Sequence, residues 1–364
     1  MRLPIHFFLL LTVLAWATFA AGSAADQPEP KNTTLAADRE FDDTLTVMGN
    51  ETLVIQPGVT LKFAEQAGII CNGRIQAQGT AEKPIRFAAK DPAKGWRNVA
   101  LGGNTKDGSV FEHCQFADGR GRVTWFLPQN LQFAGFPPPG APAKKELIEL
   151  NCGGALFLYG PGKVDIHACV FENNHATWAG AVICWGTSKP AIHGCLFRNN
   201  RGEEDAGAIQ CVAGSDAVIE ENYFSGNQAK YGGAIHCLTL SSPMIRNNYI
   251  TANTASGNSS AISCYNQANP KILGNYIAGN TTTTKSGKAI ETVLKSQPEI
   301  KGNYIGENKN DTETGKLIGA HAGEEGQPDT STCDEQEPAQ KDAVLKDLQK
   351  KGVLELAPAP TKAR

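Results

Sequence analysis

The chain has 364 residues, with 38 Gly, 20 Pro, only 3 Met and 20% charged residues. That turn-rich, charge-poor composition fits a β-rich globular chain and excludes long disorder or a coiled coil over most of its length. Counting 34 basic against 37 acidic residues gives a formal charge of -3, so there is no basic footprint for nucleic acid and no such partner is expected.

Residues 1–25 read as a signal peptide. Arg2 is the sole charge, residues 7–20 are apolar, and Ser23-Ala24-Ala25 places small residues where cleavage occurs. Export is therefore expected, to a periplasmic, cell-surface or extracellular location. The apolar stretch falls short of the ~20 residues of a spanning helix and no later segment qualifies, so no membrane insertion is expected. Residues 26–44 begin with the polar, Pro-containing Asp26-Gln27-Pro28-Glu29-Pro30 and read as a solvated lead-in.

From residue 45 to 318 the chain repeats. The segments VDIHACVFENN, AIHGCLFRNN, VIEENYFSGN, MIRNNYITAN, KILGNYIAGN and EIKGNYIGEN are anchored on Ile166, Ile192, Ile219, Ile245, Ile272 and Ile300, at intervals of 26, 27, 26, 27 and 28. A second phrase (GALFL, GAVIC, GAIQC, GAIHC, SAISC, KAIET) runs between them. Each unit holds three apolar runs too short for helices, and three strands in so short a period make one coil of a parallel β-solenoid rather than a propeller blade. Asn stands eight residues after each anchor (Asn174, Asn200, Asn227, Asn253, Asn280, Asn308), and Cys or Asn three after it (Cys169, Cys195, Asn222, Asn248, Asn275, Asn303). Both columns are expected at turns, where Asn tolerates left-handed backbone and its amide can bond its neighbour one coil away. Pro190, Pro243, Pro270 and Pro298 mark the corner entering a strand.

On these columns the sequence resembles the right-handed parallel β-helix repeat family, the pectate-lyase-like fold found in many secreted bacterial proteins. TLVIQPGVTLKF, GIICNGRIQAQGTAEKPIRF, GWRNVALGG and FEHCQF resemble its opening coils. The expected fold is all-β: a single right-handed parallel β-helix over 45–318, three strands per coil, with an apolar insertion at 119–151. Residues 319–364 read as an acidic linker and a short helix near residues 340–351 that either caps the open end or hangs on the linker, the cap being the favoured expectation.

Strand parity assigns directions. In AIQC, Ile209 and Cys211 share the inner face and Gln210 points outward. Cys184, Cys211, Cys237 and Cys264 thus form an interior column of reduced thiols, with Cys114, Cys169 and Cys195 in another; Cys71, Cys152 and Cys333 have no column partner and are the candidates for any disulfide. The outward rows read Phe157, Ile183, Gln210, His236, Ser263, Glu291 and Tyr159, Trp185, Val212, Leu238, Tyr265, Val293. Flanking turns add Trp178, the acidic run Glu203, Glu204, Asp205, and Lys230-Tyr231.

An outward strip of aromatics bordered by charges suits an extended polysaccharide, because flat rings stack on pyranose faces and polar groups bond hydroxyls. Trp178, Trp185, Gln210, Tyr231 and Tyr265 are the expected substrate contacts, on the face where the resemblance to the lyases also implies a site. For β-elimination on an acidic glycan, Lys230 or His236 would be the base, and Glu203, Glu204 and Asp205 could hold a hard cation such as Ca; the competing expectation is an ordinary salt bridge from that run to Lys230. The RxPxxR phrase of pectate lyases and the DPHS phrase of alginate epimerases do not occur. A non-catalytic cell-surface or structural repeat is therefore the alternative, and a monomer is expected.

Overall fold

The computed structural model describes residues 31–103, 105–126, 147–160, 162–315, 317–320 and 341–353; the leader, most of the insertion and Cys333 lie outside them. Each regular coil passes through four short strands. One coil, for example, runs Val164–His167, Val170–Glu172, His175–Trp178 and Val182–Trp185. Stacking the coils makes three ten-stranded sheets, here called first, second and third, and a seven-stranded corner sheet between the second and third. Pairing between coils is parallel throughout these sheets except where Asn308–Lys309 meets Thr314–Gly315.

The anchors stack as the repeat requires, Ile166 on Ile192, Ile219, Ile245, Ile272 and Ile300, with Phe111 before them. All are buried in one continuous core. Inside it Phe87, Phe116, Phe171, Phe197 and Phe224 stack face to face, with centroids 4.5, 4.9, 4.7 and 4.8 Å apart, the parallel-strand spacing imposed on rings.

The solenoid starts earlier than residue 45. Lys31–Leu35 and Arg39–Phe41 pair with Glu51–Ile55 and Thr60–Phe63, and Leu35 and Phe41 are buried. The polar look of this segment hid a coil whose inward positions are few. The solenoid's last described strand is Ile318–Ala320.

The Asn columns are ladders, but they are not the left-handed residues. Positive φ falls one position earlier, at Ala168, Gly194, Glu221, Asn247, Gly274 and Gly302 in one column and Asn173, Asn199, Gly226, Ala252, Gly279 and Glu307 in the other. Each ladder Asn after the first of its column instead accepts from the backbone N–H and side-chain amide of the preceding Asn, and every one donates to an interior strand carbonyl; the first ones, Asn174 and Asn222, accept only the Gly119 and Cys195 N–H. Asn227 Oδ1 takes the Asn200 N–H at 3.0 Å and Asn200 Nδ2 at 2.9 Å, while Asn227 Nδ2 donates to Phe197 O at 2.9 Å. Corner backbone that a buried bend would leave orphaned is satisfied in this way.

All nine described cysteines are free and buried. Cys71 does belong to the four-Cys column, spaced from Cys184 by Leu101 and Leu158, so neither it nor Cys152 forms a disulfide. Burial pushes the Cys71 thiol up to about 11, and a hydrogen bond with Cys211, together with burial, raises Cys184.

The C-terminal helix Lys341–Lys350 covers a side rather than an end. Leu348 and Val353 pack on Ala168, Val170 and Leu196, which face outward from the second sheet. Farther along that face Tyr223, Tyr249, Tyr276 and Tyr304 cover one another in a stack, with centroids 4.4 to 4.9 Å apart. The helix goes where bare aliphatic side chains would otherwise meet water.

Two outcomes follow. Asn227→Ala strips acceptors from two buried donors and a donor from a buried carbonyl, at roughly 1–3 kcal/mol for an unmet buried group; thermal melting should drop by several degrees, whereas exposed Asn32→Ala should change little. Thiol reagents should label native Cys184, Cys211, Cys237 and Cys264 slowly and the denatured chain fast.

Candidate functional site

The outer face of the third sheet carries one row in continuous register, Ala100, Phe157, Ile183, Gln210, His236, Ser263 and Glu291. Parity assigned its direction correctly, since these side chains stand outside the solenoid core. Exposure was another matter. Gln210, Ser263 and Glu291 are 2% exposed and His236 3%, so the row is the floor of a groove and not an open surface.

Two rows flank this floor as its walls. On one side Cys152, Trp178, Asp205 and Tyr231 bridge coil to coil. On the other, Trp185, Val212, Leu238 and Tyr265 stack in register. Toward the N-terminal coils the groove is dry: Leu150 and Cys152, from the return of the insertion, join Ala100, Phe157 and Ile183 in a second apolar cluster against which Tyr159, Trp178 and Trp185 pack. Trp185 sits 6.0 Å from Phe157, centroid to centroid. It is therefore part packing residue, not the free outward ring expected from the sequence. Tyr265 is the most exposed wall aromatic, at 36%, and meets the His236 ring edge-on at 6.4 Å.

Toward the C-terminal coils the floor turns polar. Asp205 lies between two floor residues: Gln210 Nε2 donates to its Oδ2 at 3.1 Å, and His236 Nδ1 lies 3.2 Å from its Oδ1, at ion-pair distance but not aligned as a hydrogen bond. Burial pushes the Asp205 carboxyl upward, but His236, Gln210 and Lys230 outweigh it and hold the group below the usual aspartate range. His236 Nε2 and Gln210 Oε1 are buried with no hydrogen-bond partner among the described residues.

The acidic run does not converge. Glu203 meets His175 Nε2 at 3.2 Å, Glu204 meets Lys230 Nζ at 2.8 Å, and Asp205 turns to the floor. Successive strand residues point apart, and among the described residues no group of three His, Cys, Asp or Glu could hold a metal ion. The donor set thus does not fit a Ca site, and the salt-bridge alternative is the one seen. Lys230 is also a poor base: its hydrogen bond to Glu204 raises its pKa, and it sits 5.2 Å over the Tyr231 ring.

Sequence reasoning missed a second feature. Lys94, Arg120 and Arg122 line a cavity of about 350 Å³ with Glu65, Asn151 and His175. They come from corners of successive coils at irregular positions outside every column, so no periodic signal marks them.

Residues 143–257 match the family described as right-handed beta helix region, a family that includes polysaccharide-processing proteins. The match spans the wall from Cys152 to Tyr231, the other wall from Trp185 to Leu238, and the floor from Phe157 to His236. No curated protein matches the chain. With its parallel pairing and three main sheets, the protein is an all-β right-handed parallel β-helix. Among the described residues no helix is long and apolar enough to cross a membrane.

The Asp205 environment sets a pH response. Its folded carboxyl titrates below the unfolded value of about 3.9, so the stabilisation is present above that pH and is lost as pH falls through the folded value. The melting gap between wild type and Asp205→Asn should therefore narrow as pH is lowered from about 6 to about 3; a gap that holds constant would contradict the pairing.

Proposed function

We propose that the protein binds an extended glycan lengthwise in the groove of the third sheet. The observation that carries this reading is the pair of walls, Trp178–Asp205–Tyr231 and Trp185–Val212–Leu238–Tyr265, set one coil apart along a floor of buried amide, imidazole, hydroxyl and carboxyl groups. Rings spaced along a strip suit the apolar faces of successive sugar units, and fixed floor groups suit their hydroxyls. The signal-like residues 1–25 support an exported protein, which would meet such polymers in the envelope or beyond it.

A catalytic reading has one specific support, the His236–Asp205 pair. A base whose other nitrogen faces a carboxylate is the arrangement that general-base catalysis uses. In this reading His236 Nε2, buried and without a hydrogen-bond partner among the described residues, takes a proton from a sugar once the floor opens to it, with Asp205 stabilising the charged ring. Lys230, held by Glu204, is not proposed as the base.

A panel of neutral and acidic polysaccharides tests both readings. Tyr265→Ala should weaken binding about fivefold, for the loss of roughly 1 kcal/mol of ring stacking, with little change in melting. Trp185→Ala should lose affinity and also melt lower, because its ring packs on Phe157. If Tyr231→Ala and Tyr265→Ala leave the affinity for a bound polymer intact, the groove is not the site. Release of unsaturated ends that His236→Gln abolishes, with binding retained, would make the protein a lyase; no release from any acidic polymer leaves it a binding protein.

A further inference from the structure

The cavity behind the groove wall has a chemistry of its own. Three permanent cations, Lys94, Arg120 and Arg122, line it against one carboxylate, Glu65. Arg122 Nη2 pairs with Glu65 at 3.0 Å. Among the described residues Lys94 and Arg120 form no ion pair. Arg120 is held by carbonyls instead, donating to Pro92 O at 3.1 Å and Gly119 O at 3.3 Å. Asp118 is near enough to feel its charge without pairing with it. A guanidinium fixed by backbone oxygens and left without a carboxylate presents its charge to whatever enters.

The rest of the lining is polar. Asn151 accepts the Thr177 N–H at 2.9 Å through Oδ1, which leaves its NH₂ as a donor. His175 is kept toward the neutral form by burial, and Glu65 can accept. Among the described lining residues only Ala93 and Ala176 are apolar, so the site has hydroxyl partners but no surface for a greasy acid. At about 350 Å³ it lies at the small end of ligand pockets.

We propose that this cavity binds the carboxylate-bearing ring of a single uronic acid, with Lys94 and Arg120 on the carboxylate and Glu65, Asn151 and His175 on the hydroxyls. Strand His175–Trp178 links it to the groove: His175 lines the cavity, and Trp178, roughly 10 Å farther along, stands in the groove wall. The assignment deepens the glycan reading by making the polymer acidic, and rests on that reading only for chain length, since one sugar suffices here.

Calorimetric titration of the full-length protein with D-galacturonate and D-glucuronate, against galactose, methyl galacturonate ester and sodium sulfate, tests it. One of the two uronates should bind at least tenfold tighter than the ester, galactose and sulfate. Lys94→Gln, at an exposed side chain, and Arg120→Gln should each weaken it about tenfold, with Lys94→Gln melting like wild type. Failure of both uronates to bind, equal affinity for the ester, or sulfate binding as tightly as the better uronate would overturn the proposal, as would unchanged affinity in Lys94→Gln. Tyr265→Ala should leave uronate affinity unchanged, so loss of the groove reading and loss of the cavity are told apart.

Discussion

Every coil of this protein lies in register on the next, so each side chain must tolerate a near copy of itself one strand spacing away. That constraint selects the residues. Asn satisfies it by donating one way and accepting the other, which is why Asn174, Asn200, Asn227, Asn253, Asn280 and Asn308 can be buried in one line without an unmet polar atom between neighbours. Phe satisfies it by stacking and Cys by being small. A charged column would not, and among the described residues the interior holds none.

The same stacking shapes the outside. Outward residues also repeat, so a row such as Val170 and Leu196 or one such as Phe157 and Ile183 builds a continuous apolar strip that water disfavours. The protein covers one strip with a helix, lets a tyrosine stack shield itself on another, and closes the dry end of the third-sheet groove with the return of the insertion. Past Ile183 the third-sheet row changes to Gln210, His236, Ser263 and Glu291 and becomes polar. The candidate site occupies that change of character.

What was legible in the sequence is what repeats. Ile166 to Ile300 and the inward Cys column announced the coil, its period and the direction of each strand residue. The first coil, Lys31–Phe41, was illegible because it carries none of the column residues, and the left-handed positions were misassigned by one because the ladder Asn is the more frequent neighbour of the bend. Exposure could not be read either: parity says which way Gln210 and His236 point, but not that both are buried. The fanning of Glu203, Glu204 and Asp205 toward His175, Lys230 and His236 likewise depends on residues 26 to 31 positions away, which a local acidic run does not reveal.

Charge on the groove side is accordingly divided between two places. Within the groove the ionised groups answer one another, with the Asp205–His236 pair at the floor; in the adjoining cavity the cations exceed the carboxylates. Hydrogen exchange of the full-length protein with and without a bound acidic oligosaccharide tests the central claim most directly. The account predicts slowed exchange in Arg201–Asp205, Ile209–Val212, Ile235–Leu238 and at Tyr231, with the first and second sheets unchanged; protection confined to those two sheets would contradict it.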